Sequence, residues 1–499
     1  MAPGDRAVGN TRRAAFVHRL ELPALMRQSH RAAKRQGAQE VNPSSANKLR
    51  ERRGGAGDAG ADDVLCYMDQ GSFVGLRALG RGPALQITWL YPHPIDEAAV
   101  RQFSERLARG LLGRLLQRSP LPWGRHRWVA NPVPGPVTWF RDPLPNERLL
   151  ELRRMLLDLP VDPERGPGWR LAVQALEDGG CALTMLVSHT IADMQATNLA
   201  IADAVAGRHA DHGLPAPSWR WSPVMLARDG VESLRALPGV WRALVALVRR
   251  SRNGSAGVSR PSSRARTSHD HFEPAADVPL VEVVMDAAAC QQRASDLGVA
   301  SNTLIVAFAA RIAFRVGRVD ASGRAKLVLP VSDRRSDDRR GNALRSITVM
   351  ADPEACRKDP RGLQRDLKAA LASLIRHGDD LSPLFPLIPY VPLWLVRRLE
   401  REALGAGLPV GCSLVGELPL DVNRPCGEAL LLQLSILEHY TVPDLQRLGG
   451  VLFIGCYRLG ERLCFTVSGY VPDGATTRAE LAPLVRDALA DMGLCGTVS

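Results

Sequence analysis

Leu186-Val187-Ser188-His189-Thr190-Ile191-Ala192-Asp193-Met194 is the stretch on which the reading of this chain turns. An apolar run ends on a serine and a histidine, and an acid follows four residues later. The run itself, Cys181–Val187, is short and rich in Leu and Val, as a buried strand is. Asp178-Gly179-Gly180 precedes it and reads as a hairpin turn, so Arg170–Leu176 is expected to be its antiparallel partner. A helix is expected to start around Ile191–Asp193 and to stop at Gly207. His189 then occupies a strand-to-helix turn, where a neutral imidazole can take a proton from a hydroxyl near neutral pH. On one helix His189 and Asp193 would share a face. The turn is expected to split them and to send Asp193 inward to an arginine.

Outward from this turn, Leu85, Ile87 and Trp89 alternate as in a half-buried strand. Val100, Phe103, Leu107, Leu111 and Leu115 make one helical stripe from about Asp96, ended by Pro120 and Pro122. Asn146–Leu159 reads as a second helix, 208–230 as loop, and Val231–Arg250 as a short helix with Arg249, Arg250 and Arg252 at its end. Asn253–His271 is rich in Ser, Gly and Arg and reads as a linker. Further strands are expected at Leu280–Met285, Lys326–Val331, Arg345–Met350, Ala429–Leu434, Val451–Tyr457 and Leu463–Tyr470. Helices are expected at Ala287–Leu297, from a Ser301 cap to Arg315, along Leu363, Leu367, Leu371 and Leu374, and around Leu481–Leu489. The fold class is therefore α/β (α+β) with mixed sheets. Residues 1–60 form a disordered basic tail, 61–252 a first half, 253–275 a basic linker and 276–499 a second half.

The formal net charge is +12, and residues 1–60 hold twelve Lys and Arg against five Asp and Glu. A disordered tail is one reading of that segment and an arm drawn to an anionic membrane is another. Nucleic acid is set aside as a partner, because no aromatic or Gly-rich recognition pattern accompanies the charge. Nine cysteines lack metal spacing and no apolar signal segment opens the chain, so a cytoplasmic setting, peripheral at a membrane at most, is expected. The apolar stretch Leu384–Val396 is broken by Pro386, Pro389 and Pro392 and is too short to span a bilayer. Trp394 and Leu395 beside Arg397 and Arg398 suit either a membrane surface or packing between the halves. His269 and His271 have no third ligand spaced for zinc, so no metal is expected. Asp333, Asp337 and Asp338 alternate with Arg334, Arg335, Arg339 and Arg340, as in a salt-bridged loop or one that meets CoA phosphates.

The motif around His189 resembles the HHxxxDG signature of the CoA-dependent acyltransferase superfamily, which holds chloramphenicol acetyltransferase and the condensation domains of peptide synthetases. The nearest resemblance is to the bacterial wax ester synthase/diacylglycerol acyltransferase branch, over roughly residues 62–490. Val161–Trp169 is similar to that branch's PLDxxRPLW stretch, Leu329–Arg334 to its PVSxR, Gly341-Asn342 to its GN, and Cys412–Gly416 to its SNxxG. Ser301-Asn302-Thr303 stands where the branch carries an Asn-Asp helix start. Ser188 replaces the first His, Met194 replaces the Gly, and Asn302 lacks its Asp.

The resemblance implies two chloramphenicol-acetyltransferase-like halves in a V, with a channel between them that reaches His189 from both faces. It implies an O-acyltransferase in which His189 is the general base, with acyl-CoA as substrate, no cofactor, and a lipid alcohol or diacylglycerol as acceptor. Asp193 is then structural, held by Arg334 or, next, Arg335. Ser188, Asn302 and Ser413 are the candidate oxyanion donors. Two alternatives stand beside this. One is a condensation-type or polyketide-associated enzyme that takes its acyl group from a carrier-protein thioester. The other is an inactive lipid- or partner-binding paralogue, favoured by Ser188 and Met194.

Overall fold

A computed structural model describes residues 63–80, 82–145, 152, 156, 159–209, 212–219, 221–253, 275–335, 338–378, 382–404 and 408–499. The basic tail, nearly all of the linker with His269 and His271, Asp337, and most of the helix expected at Asn146–Leu159 lie outside these residues.

The first half opens with α1 (Tyr67–Leu79), whose end is set by Gly80 at φ 74°. Then come β1 (Ala84–Tyr91), α2 (Glu97–Ala108), β2 (Arg114–Gln117), β3 (Arg127–Ala130) and β4 (Val137–Leu144). β5 (Trp169–Leu176) and β6 (Cys181–Ser188) form the hairpin read from Asp178-Gly179-Gly180, with Gly179 at φ 84° and the Asp178 carboxylate accepting from Gly180 N at 2.9 Å. Next are α3 (Met194–Val205) and α4 (Pro223–Asn253). The second half holds β7 (Leu280–Asp286), α5 (Ala287–Asp296), α6 (Ser301–Arg315), β8 (Ala325–Ser332), β9 (Leu344–Ala351), α7 (Pro353–Lys358) and α8 (Arg361–His377). A 3-10 segment (Ser382–Tyr390), α9 (Leu393–Leu404), β10 (Pro409–Glu417), β11 (Leu431–Leu437), α10 (Val442–Arg447), β12 (Val451–Leu459), β13 (Arg462–Tyr470), α11 (Arg478–Asp491) and β14 (Thr497–Val498) complete it.

Two mixed sheets organise the described chain. One runs β11-β1-β6-β5-β4 and the other β14-β7-β13-β12-β10-β8-β9. The expected division at 276 is thus crossed by one strand. β11 comes from the second half but pairs antiparallel with β1, Ile87 opposite Leu434. Strand pairing is set by the partner edge that remains open, which local sequence does not encode.

β1 is buried along its whole length rather than on one face. Leu152 and Leu156 pack on its second side, in a cluster with Leu90 and its sheet neighbours Ala172 and Leu186. The polar residues there are satisfied: Thr88 Oγ1 lies 3.0 Å from Thr184 Oγ1, and Gln86 bonds Thr88 and Ser435. α2 stops at Ala108, so Leu111 and Leu115 leave the expected stripe and Leu115 enters β2. A Cβ on Gly113 would sit 1.9 Å from the Ala108 carbonyl oxygen, which shows how tightly the chain doubles back there. α4 begins eight residues earlier than expected, at Pro223. α6 takes Ala300, not Ser301, as its N-cap, without a side-chain bond, and is buried from Thr303 to Ala313.

Candidate active site

β6 delivers the motif. Ser188 ends the strand, opposite Ala84 of β1, and is 4% exposed. The chain then turns: Ile191 N donates to Ser188 O at 2.8 Å and His189 N to Pro83 O at 3.1 Å. Asp193 closes the turn as the N-cap of α3, its Oδ1 accepting from Ala196 N at 2.7 Å. Placing an acid at this position offsets unpaired N–H groups of the first helical turn.

The turn is clamped by the loop between β8 and β9. Arg334 Nη2 donates to Asp193 Oδ2 at 2.8 Å, and Ala343 N donates to the same oxygen at 2.9 Å. Both side chains are nearly sealed, at 3% and 2% exposure. Arg334 also donates to the Gly341 and Arg340 carbonyls at 2.9 and 3.0 Å. Gly341 O in turn accepts from Asp193 N at 2.9 Å. Position 341 needs glycine for closeness: a Cβ there would lie 2.7 Å from Ile191 O and 2.8 Å from Thr190 O. Arg335, the second candidate partner, is exposed. Elsewhere in the charged loop Arg340 pairs with Asp338 and Asp333, and Arg345 of β9 also pairs with Asp333.

The same loop orients the imidazole. Asn342 Nδ2 donates to Asp69 Oδ1 at 3.0 Å and to the His189 carbonyl at 2.9 Å. Both amide hydrogens are thereby used, so the Asn342 atom facing His189 is the acceptor oxygen, 2.9 Å from Nδ1. Nδ1 must therefore carry the hydrogen. In the neutral ring Nε2 then carries the lone pair, the form a base requires. His189 is half-buried.

Asp69 anchors this chain from α1. It is fully buried and accepts from Gly341 N at 2.8 Å, Asn342 N at 2.7 Å and Asn342 Nδ2. Burial raises its carboxyl above the usual range, opposed by the Arg114 charge and these donors. Arg114, 1% exposed, donates to Ile191 O at 2.6 Å and to Arg339 O, and stacks 4.3 Å from the Trp128 ring centroid. Burial lowers its guanidinium to about 10.

The sequence reading did not single out Asp69 or Arg114, and it took Asn342 only as part of a motif. One signal was available: Asp69 lies four residues before Phe73 on the buried side of α1, where an acid needs a partner. Among the described residues no hydrogen bond joins Asn302 or Ser413 to His189. Asn302 is exposed at the start of α6, and Ser413 lies in β10 opposite Gly455 of β12. A cavity of about 250 Å³ lies elsewhere, lined by Arg318, Tyr440, Phe453 and Ser468 among others, and does not include His189. No group of His, Cys, Asp and Glu among the described residues is arranged to hold a metal.

No family model matches the chain, and no curated protein matches it in sequence. Solved structures do. The first condensation domain of the calcium-dependent antibiotic synthetase, in complex with a substrate analogue, is 14% identical over 86% of this chain and 95% of its own, with TM-score 0.53. The EpoB NRPS cyclization-docking bidomain from Sorangium cellulosum is 14% identical over 89% of this chain and 87% of its own, with TM-score 0.51. The fold is that of a condensation domain. Chloramphenicol acetyltransferase shares this fold class, so the α/β architecture with mixed sheets read from the sequence stands. The wax ester synthase branch is not among these similar structures.

Proposed function

We propose that the chain is a condensation-type acyltransferase, passing an acyl group from a carrier-protein thioester to a hydroxyl-bearing acceptor with His189 as general base. The observation that carries the reading is the Asp69–Asn342–His189 chain of hydrogen bonds, which makes Nδ1 the donor on a half-buried ring and so assigns Nε2 to proton exchange. The acceptor oxygen attacks the thioester carbonyl carbon while Nε2 takes its proton. The tetrahedral oxyanion collapses, the C–S bond breaks, and Nε2 returns the proton to the leaving thiolate. Asn342 Oδ1 supports the positive ring between these transfers. Asp193 and Arg334 hold the turn and do not touch substrate. Ser188, the chain neighbour of His189, is the retained oxyanion candidate.

The similarity to condensation domains favours a carrier-protein donor over free acyl-CoA. Transfer from acyl-CoA to a lipid alcohol is the second reading, supported by the exposed apolar helix described below. The test offers purified protein an acyl-carrier protein and acyl-CoA in parallel, with alcohols as acceptors, and repeats it with His189→Ala. General-base loss predicts a fall of about 10²–10⁴-fold. Full turnover by the variant overturns the reading. Stoichiometric acyl binding without product in the parent protein establishes the inactive paralogue instead.

A further inference from the structure

α4 presents three rows along its length. Met225, Asp229 and Ala243 face inward, at 8%, 2% and 0% exposure. This row is held by charge as well as packing: Asp229 Oδ1 accepts from Arg127 Nη2 at 2.6 Å, and Glu232 lies 3.5 Å from Arg125. Leu234, Trp241 and Val248 form a second row, at 66%, 69% and 50% exposure, with Val231, Leu237 and Leu244 also exposed beside it. Arg235, Arg242 and Arg249 form a third, all exposed. Each of the last two rows repeats every seven residues, about two helical turns, so they run side by side. The helix has no Asp or Glu from Ser233 to Asn253. Trp219 and Trp221, just ahead of it, are 71% and 52% exposed.

A continuous apolar row on a protein surface marks a site of contact. The charge beside this one narrows the occupant. A second copy docking helix to helix would bring two arginine rows together. Residues 1–60 carry the same sign of charge and gain nothing from covering it. An anionic lipid surface satisfies both rows at once, Trp and Leu at the headgroup–acyl boundary and Arg on the phosphates. We propose that α4 docks the protein onto an anionic membrane surface. It lies on the bilayer, since no single helix among the described residues is long and apolar enough to cross one. The inference stands on this helix and not on the acyl-transfer reading.

The experiment is co-sedimentation of the full chain with phosphatidylcholine vesicles, with and without phosphatidylglycerol, accompanied by light scattering for oligomeric state. Binding is expected only with phosphatidylglycerol and is expected to weaken with salt. Arg235→Gln, Arg242→Gln and Arg249→Gln together should weaken it about 100-fold, at about five-fold for each charge. Leu234→Ser, Trp241→Ser and Val248→Ser together should abolish it, while the circular dichroism spectrum stays that of the parent. Binding that both variants retain would place the contact elsewhere and overturn the proposal. So would equal binding to both vesicles, or a dimer that the serine variant dissolves without any vesicle binding.

Discussion

Asn342→Ala removes the Nδ1 partner of His189, together with the side-chain bonds to Asp69 and the His189 carbonyl, and leaves the Asp193–Arg334 pair in place. In the parent, the Asn342 oxygen lies 2.9 Å from Nδ1. A general base is neutral before proton transfer and becomes charged as the transition state forms. A hydrogen bond to a neutral group contributes about 0.5–1.5 kcal/mol and one to a charged group about 1.5–3 kcal/mol. The part specific to the transition state is then about 1–1.5 kcal/mol, or about 5–12-fold in kcat. Lost control of the tautomer adds to this, up to the full general-base contribution of about 10²–10⁴-fold. Asp69 keeps the Gly341 and Asn342 backbone donors, but the side-chain bonds to Asp69 and to the His189 carbonyl go, so the fold should lose about 2–4 kcal/mol. The assay is thiol release from acyl-carrier protein at saturating acceptor, with thermal melting alongside. kcat should fall and KM stay near the parent value. An unchanged kcat, or a loss confined to KM, would refute the argument that Asn342 sets the protonated nitrogen.

Two further outcomes follow from the ion pairs. Arg334→Leu leaves the Asp193 carboxylate buried with backbone donors alone and should cost about 3–5 kcal/mol in urea unfolding; a cost under about 1 kcal/mol contradicts the buried pairing. Arg77 bridges α1 to Asp162 at 2.7 Å and to Glu164 at 2.8 Å. Burial acts to raise the Asp162 carboxyl, but the Arg77 bonds and the backbone donors of Arg165 and Glu164 outweigh it and hold the group below its usual range. A depressed acid stabilises the fold above its unfolded pKa and loses that contribution as pH falls through the folded one. Asp162→Asn should therefore melt below the parent at neutral pH, with the gap closing under about pH 4. A gap independent of pH would show that the charge plays no part.

The sequence by itself determined the local pieces. The Asp178-Gly179-Gly180 hairpin, the buried strand into His189, the α3 start at Asp193 and the apolar body of α6 all follow from short-range rules of turn chemistry, capping and periodicity. The condensation-domain fold class was also legible, through the resemblance of Ser188–Met194 to the HHxxxDG signature. What the sequence left open was everything decided by distance along the chain. β11 joins the first sheet across more than 300 residues because β1 offers it an edge. Arg334 rather than Arg335 reaches Asp193 because the β8–β9 loop turns that side chain inward. Asp69 and Asn342, 273 positions apart, meet at 3.0 Å and fix which nitrogen of His189 holds the proton. No periodicity records such a meeting. A buried polar group must find its partner in space, and only the tertiary packing brings the two together.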